Sequence, residues 1–316
     1  MKNSAIAICL TVTALLTATA FSQNDAPQAL GKAVVTVLPK KDGAAPPSIN
    51  AQDLSLKIGG KIAKINDFKP FQSPDNNIEL VLLIDNSSRT SLGTQLETIQ
   101  SFVKSLPPNI KSAIAYMQNG QADFVGPLST DHALVLRALH LPGGGPGASA
   151  SPYFCLSDLA KRWPSQDRTA RREVVMISDG VDPFNMRYDP NNPYLESAIT
   201  DAVRARLVVF SLYWESQDMG RRLRYGNMAG QSYLIDVTQA TGGKSFWMGM
   251  GNPVSFEPYF KELTRIFQNQ YELAFAAPEA GKPRVEDMKL KFKVPDAEVD
   301  SPQNVMIYPN AIALKD

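Results

Sequence analysis

Three short polar clusters in this chain carry residue types able to do chemistry. Asp85-Asn-Ser87-Ser-Arg89 follows the apolar run Leu80-Val-Leu-Leu-Ile84. Asp179-Gly-Val-Asp182 follows Glu173-Val-Val-Met-Ile177 and Ser178. Ser149 and Ser151 close the glycine-rich stretch Pro142-Gly-Gly-Gly-Pro-Gly147. Carboxylates and hydroxyls of this kind serve acid–base chemistry or bind a ligand. In an open α/β sheet, ligands sit beyond the carboxyl ends of the strands, which is where all three clusters fall if the apolar runs are strands. No motif pairs a nucleophile with a base. A metal-assisted hydrolase using the serines near Asp85 and Asp179 is therefore the alternative reading, and it lacks a general base.

The remaining reactive side chains read as structural. Gly143 to Ser151 lacks the Gly-Lys-Ser/Thr ending of a phosphate loop. His132 and His140 have no accompanying cysteine or carboxylate pattern. Cys155 falls on the apolar side of an expected helix, the place of a buried thiol. Arg221-Arg222-Leu-Arg224 reads as a solvated loop. Asp182 to Asn192 lacks the ordered spacing of a calcium loop. Lys289, Lys291 and Lys293 alternate with apolar residues and protect a strand face or edge.

The elements that position the clusters follow from periodicity. Continuous apolar runs at 80–84, 173–177 and 207–213 suit strands buried on both faces. Leu96, Ile99, Phe102, Val103 and Leu106 keep helical spacing, as do Phe256, Tyr259, Phe260, Leu263, Ile266 and Phe267. Thr94 and Glu97 have the spacing of a capping box. Ser151 with Pro152 reads as an N-cap followed by proline at the first helical position. Outside this region the rhythm changes to alternation: Leu54, Leu56 and Ile58; a Gly59-Gly60 turn; then Lys61 to Phe68; and, near the end, Tyr271, Leu273 and Phe275. The expected fold class is α/β, a doubly wound, mostly parallel sheet over residues 78–269. The segments 23–77 and 270–316 are expected to flank it and to form a small β unit.

The runs Leu82-Leu-Ile-Asp85-Asn-Ser87 and Val174-Val-Met-Ile-Ser-Asp179-Gly180 resemble the von Willebrand factor type A domain. With Thr241-Gly-Gly243, Phe246, Gln270-Tyr-Glu-Leu273, Lys41-Asp42-Gly43 and Asp53 to Lys61 added, the chain resembles the VWFA-related acidobacterial domain family over about 33–308. The resemblance implies a Rossmann-like fold, a protein-binding role, and a metal-ion-dependent adhesion site. That site would use Asp85, Ser87, Ser151 (or Ser149) and Asp179 around Mg²⁺, with Mn²⁺ or Ca²⁺ as alternatives. Hard oxygen donors suit such ions. An open position on the ion would take a carboxylate from a protein partner. Arg89 departs from the pattern, since a serine ligand is expected there. Its guanidinium is expected to replace the ion and pair with Asp85 or Asp179, leaving a degenerate site.

Composition bounds the rest. The 316 residues are 44% hydrophobic and 20% charged, the balance of a globular protein. With 32 basic against 31 acidic residues there is no basic field to attract nucleic acid. Two histidines and two cysteines do not make the usual structural zinc site. Lys2, the short apolar stretch Ala5 to Leu16, and Ala18-Thr19-Ala20 read as a signal peptide over 1–22, cleaved near Ala20 or Ser22. The stretch is too brief to span a bilayer. Secretion or a periplasmic location follows, with Cys155 as the single cysteine left and no transmembrane segment in the mature chain. The sequence thus reads as an exported, non-enzymatic protein-binding or assembly module, with a structural scaffold carrying a dead metal site as a further alternative.

Overall fold

A computed structural model describes residues 28–41, 49, 51–71, 76–144, 151–215, 223–278 and 281–309. The expected signal peptide, Ser149 and the Arg221-Arg222 pair lie outside these residues, as does the Arg89 side chain.

Chain order begins with three strands, β1 (Gln28–Pro39), β2 (Leu54–Ile58) and β3 (Lys61–Pro70). Positive φ at Gly59 and Gly60 turns β2 into β3. The middle of the chain follows: β4 (Ile78–Asp85), a 3₁₀ segment (Asn86–Gln95), α1 (Leu96–Ser105), β5 (Ile110–Gln118), β6 (Gln121–Phe124), α2 (His132–Leu136) and α3 (Pro152–Lys161). Then come β7 (Arg171–Ser178), α4 (Pro193–Arg204), β8 (Leu207–Tyr213), α5 (Leu223–Thr241), β9 (Ser245–Phe246) and α6 (Glu257–Gln268). The last strands are β10 (Gln270–Pro278), β11 (Arg284–Phe292), β12 (Ala297–Asp300) and β13 (Asn304–Pro309).

Two sheets result. One is a six-stranded mixed sheet in the order β6-β5-β4-β7-β8-β9. The β4–β5, β4–β7, β7–β8 and β8–β9 pairs are parallel, and β5–β6 is antiparallel. Every residue of β4 and β8 is buried. One face packs Ile99, Phe102 and Val103 of α1 and Phe260, Leu263 and Phe267 of α6. The other packs Leu156 and Leu159 of α3, Ala198 of α4 and Tyr233 of α5.

The other sheet is antiparallel and runs β10-β3-β2-β11-β13-β1-β12. A further β1–β10 pairing joins its ends, so six strands close into a barrel and β12 extends β1. Alternate residues of β1 point inward: Ala29, Ala33, Val35 and Val37 are buried with Leu273, Phe275 and Ile307. Gly31 occupies the remaining inward position. A Cβ there would lie 2.4 Å from the Phe275 ring, which fills the barrel at that level.

This pairing corrects the expected fold class. The chain is not a doubly wound, mostly parallel fold with a small β appendage. It is a closed six-stranded antiparallel barrel joined to a mixed sheet, and the Rossmann-like description falls with that expectation. The physical reason is that alternation reports a strand with one buried face and is silent about closure. It misses β12 and β13 as well, because neither alternates cleanly. The expected capping box is also absent. Thr94 Oγ1 donates to Ser91 O, and the N-cap of α1 is Gln95, which makes no side-chain cap bond.

The barrel and the mixed sheet are fastened where β7 begins. Arg171, buried, donates to Phe267 O at 3.2 Å and also bonds Gln270 and Asn76. Its guanidinium lies 4.5 Å from the Phe71 ring centroid. On a second seam Gly242, at φ 86, leaves room for Pro302, and Gln303 N donates to Gln239 O.

Candidate functional site

Parallel register brings the Asp85 and Asp179 clusters together. Ile84 pairs with Ile177, so Asp85 and Ser178 end neighbouring strands side by side. Asp85 Oδ1 accepts from Ser87 N at 2.8 Å and from Ser87 Oγ at 2.7 Å. Asp85 Oδ2 accepts from Ser178 Oγ at 2.7 Å. Ser178 Oγ in turn accepts from Gly180 N at 3.0 Å. One carboxylate thereby ties the 3₁₀ segment after β4 to the loop after β7. Burial pushes the Asp85 carboxyl above its ordinary range, and the hydrogen bonds from Ser87 and Ser178 pull it part of the way back.

Asp179 is also buried, and its Oδ1 accepts from Val181 N at 2.9 Å. Gly180 sits at φ 69, and a Cβ there would meet Gly230 O at 2.5 Å. A Cβ on Gly230 would meet Asp179 O at 2.3 Å. Two glycines thus let α5 lie directly on the β7 loop. Tyr153 OH donates to Gly180 O at 2.7 Å from the third direction. Asp182 accepts from Phe184 N and from Asn192 Nδ2, and Asn192 caps α4 by accepting from Tyr194 N and Leu195 N.

Ser151 stands at the N-cap of α3 as expected, fully buried, yet its hydroxyl makes no cap bond and has no hydrogen-bond partner. Asn86 holds the rim: its amide donates to Gln118 Oε1 at 2.6 Å, and its oxygen accepts from Gly143 N at 2.8 Å. Ser178, Asn86 and Tyr153 were not singled out from the sequence. Ser178 was legible in principle, as the strand-end residue beside Asp85, but only once the register is known.

These contacts bear on the cation that the resemblance implies. A resident Mg²⁺ needs carboxylates that are ionised and turned toward it. Both Asp85 oxygens are instead occupied by internal donors, and burial disfavours the charged form. Among the described residues no three His, Cys, Asp or Glu side chains gather to hold a metal. An ion held by Asp85, Ser87, Ser151 and Asp179 would have to take the Asp85 oxygens from Ser87 and Ser178.

The reactive side chains nearby are similarly engaged. Cys155 is buried, and its thiol is pushed up to about 12 by burial and then by the charges of Asp85 and Asp158. His140 stacks on Tyr116 at 4.1 Å, and His132 Nε2 lies 3.0 Å from Ile110 O.

No family model and no curated protein matches the chain. Among solved structures, it is similar to an aerotolerance-related membrane protein from Bacteroides fragilis, at 14% identity and a TM-score of 0.42, over 60% of this chain and 98% of that one. A proximal thread matrix protein of the mussel byssus matches at 10% identity and a TM-score of 0.41, over 60% and 47%. The pilus adhesin SpaC from Lactobacillus rhamnosus GG matches at 10% identity and a TM-score of 0.41, over 86% and 49%. Likenesses of this size carry no argument about what the chain does.

Proposed function

We propose that this protein is an exported binding or assembly module that engages a protein partner through the loops at the carboxyl ends of β7 and β9. One observation carries the reading. Those loops, with the start of α5, expose large apolar side chains: Phe184 (66%), Met228 (67%), Met250 (84%) and Val254 (98%). Leu141, Trp247 and Met248 are exposed at the same end. Apolar residues gathered this way mark contact surfaces more often than catalytic ones.

The loops that carry them are held from beneath. Gln95 donates to Val254 O at 3.1 Å and accepts from Phe256 N at 2.9 Å. Gln231 donates to Gly249 O at 2.7 Å. Trp247 Nε1 donates to Gly251 O at 2.8 Å. Phe184 packs with Phe154 and Tyr194, ring centroids 5.5 and 6.2 Å away. A rim fixed in advance loses less entropy on association. The hydrogen-bonded Asp85 cluster serves as a brace under this rim, and neither reactive chemistry nor a cofactor is assigned to it. The basic and apolar leader, Lys2 to Leu16 with Ala18-Thr19-Ala20, supports export.

The test is affinity capture with wild type and with a Phe184→Ser/Met250→Ser/Val254→Ser variant. Met250 and Val254 are almost fully exposed and Phe184 loses only its ring contacts with Phe154 and Tyr194, so the variant stays folded and melts a few degrees at most below wild type. A protein retained by wild type and lost by the variant supports the reading. Identical retention, or turnover on ester, peptide or phosphate panels, overturns it.

A further inference from the structure

The opposite end of the mixed sheet holds a feature that the proposed rim does not use. Where β7 and β8 begin, Arg168, Arg172, Arg204 and Arg206 line one pocket of about 240 Å³, closed on the barrel side by Tyr308. Four guanidiniums at one place repel one another. Arg172 is held below its ordinary range by burial first, with Arg168 and Arg206 adding repulsion and Glu79 and Asp167 opposing it.

The neighbouring acids each hold partners besides these arginines. Asp167 Oδ1 accepts from Thr169 N, Thr169 Oγ1 and Ala170 N. Asp201 accepts from Ser157 at 2.6 Å and pairs with Lys161 at 2.9 Å, and Arg204 reaches it only at 4.0 Å. Glu79 accepts from Trp163 and pairs with Lys111. Arg172 spends its terminal nitrogens on the carbonyls of Ala205, Ser165 and Asp167, while its buried Nε has no partner.

The backbone adds a second, independent sign. Arg206 follows the end of α4 at φ 58, in the left-handed region. That position after a helix favours glycine or asparagine, and an arginine there carries strain. Its guanidinium carbon lies 5.6 Å from the Tyr308 ring centroid. A strained residue held where glycine would serve the fold points to a use for its side chain.

We propose that this pocket binds the phosphate group of an anionic ligand. Guanidinium forks match phosphate oxygens, and a phosphate monoester brings close to two negative charges to a place where four guanidiniums converge. A second cavity shares Arg168, Ala170 and Arg206 with the first and continues between barrel and sheet. Its walls include Val34, Val203, Leu207, Val208, Pro302 and Met306. That cleft receives the apolar body of a ligand such as a phospholipid headgroup with its first acyl carbons. Free phosphate needs the arginine pocket alone.

Thermal shift and titration calorimetry on the whole protein test this, with inorganic phosphate, dihexanoyl phosphatidic acid and sodium hexanoate as probes at matched ionic strength. Wild type is compared with Arg204→Gln/Arg206→Gly and with the remote control Lys289→Gln. Glycine at 206 relieves the left-handed strain, so the double variant melts no more than a degree or two below wild type. Saturable binding of phosphate or of the phosphatidate, weakened tenfold or more in the double variant and unchanged in the control, is the expected result. Tighter binding of the phosphatidate than of phosphate assigns the lipid-like source, and equal binding assigns the free anion. Binding of neither phosphate compound, equal binding by the double variant, or a response to hexanoate that matches the phosphatidate overturns the proposal.

Discussion

The two ends of the mixed sheet handle polar groups in opposite ways. At the carboxyl ends, Asp85 meets three donors and Asn192 closes both a helix and a loop. Around that centre the surface is apolar. At the amino ends, donors and acceptors are matched less fully: Arg172 Nε is buried without a hydrogen-bond partner, and Glu173 faces Gln270 and Arg171 without close hydrogen-bond geometry at either oxygen. The contrast shows that a cluster rich in carboxylates and hydroxyls is no guide to a ligand when its own neighbours satisfy it. Unmatched groups are the better guide, because a buried donor left alone costs about 1–3 kcal/mol that a ligand returns.

Substitutions can break this contrast, and the largest effect is expected at Asp85. Asp85→Ala strands Ser87 N, Ser87 Oγ and Ser178 Oγ together, and a loss of about 3–5 kcal/mol in urea unfolding is the expected outcome. Asp85→Asn keeps an acceptor and recovers about half of that loss. A variant as stable as wild type would mean that the carboxylate is not the brace.

Glu173 comes next. Burial raises its carboxyl to about 7, with the attraction of Arg171 and then a hydrogen bond from Gln270 opposing the rise. A folded value above the unfolded one means that the native state holds the proton more firmly. Stability from this group is full below about pH 4.5 and is lost as pH rises to about 7, then stays level. Glu173→Gln should abolish that slope and, at pH 8, stabilise by about 1–2 kcal/mol, since lost attraction for Arg171 offsets part of the gain. Denaturant midpoints measured from pH 4 to 8 check both the slope and its sign. An unchanged slope would remove Glu173 from the unmatched set.

Ser151 Oγ and Asn227 Oδ1 are the exceptions at the satisfied end, buried without hydrogen-bond partners among the described residues. Ser151→Ala removes a buried hydroxyl that has no partner, so it should stabilise by about 1 kcal/mol, read from the same unfolding curves. Destabilisation would mean that the hydroxyl has a partner after all. The smallest effect is expected at Arg206, where glycine trades relief of strain against a more flexible unfolded chain. Arg206→Gly is expected to stay within about 1 kcal/mol of wild type.

Local pattern made much of this legible in the sequence, and pairing made the rest invisible. Leu54, Leu56 and Ile58 mark β2 by alternation, and the unbroken apolar run of β8 marks a strand covered on both sides. Barrel closure depends on β1 meeting β10 across the whole chain, which no window of sequence contains. The candidate site divides the same way. Asp85 and Ser87 are two residues apart and are joined, as their spacing suggests. Ser178 enters through register, and the four-arginine pocket assembles from a loop, a strand, a helix end and a turn. Arg168, Arg172, Arg204 and Arg206 form no run, so charge counting passed over them.

Barrel closure also sets an order of events during synthesis. The inner wall formed by β1, β2 and β3 leaves the ribosome first, but β10 supplies its partner only once residue 270 has emerged, and β13 seals it later still. The mixed sheet, whose strands all lie between, is complete before the barrel can close. Until then the apolar faces of β1 and β2 have no strand from the carboxyl-terminal segment to cover them, which leaves a window for a chaperone or for misassociation. The strands from β11 onward act as a latch, and a ribosome that stops short of β11 releases a chain with its barrel open.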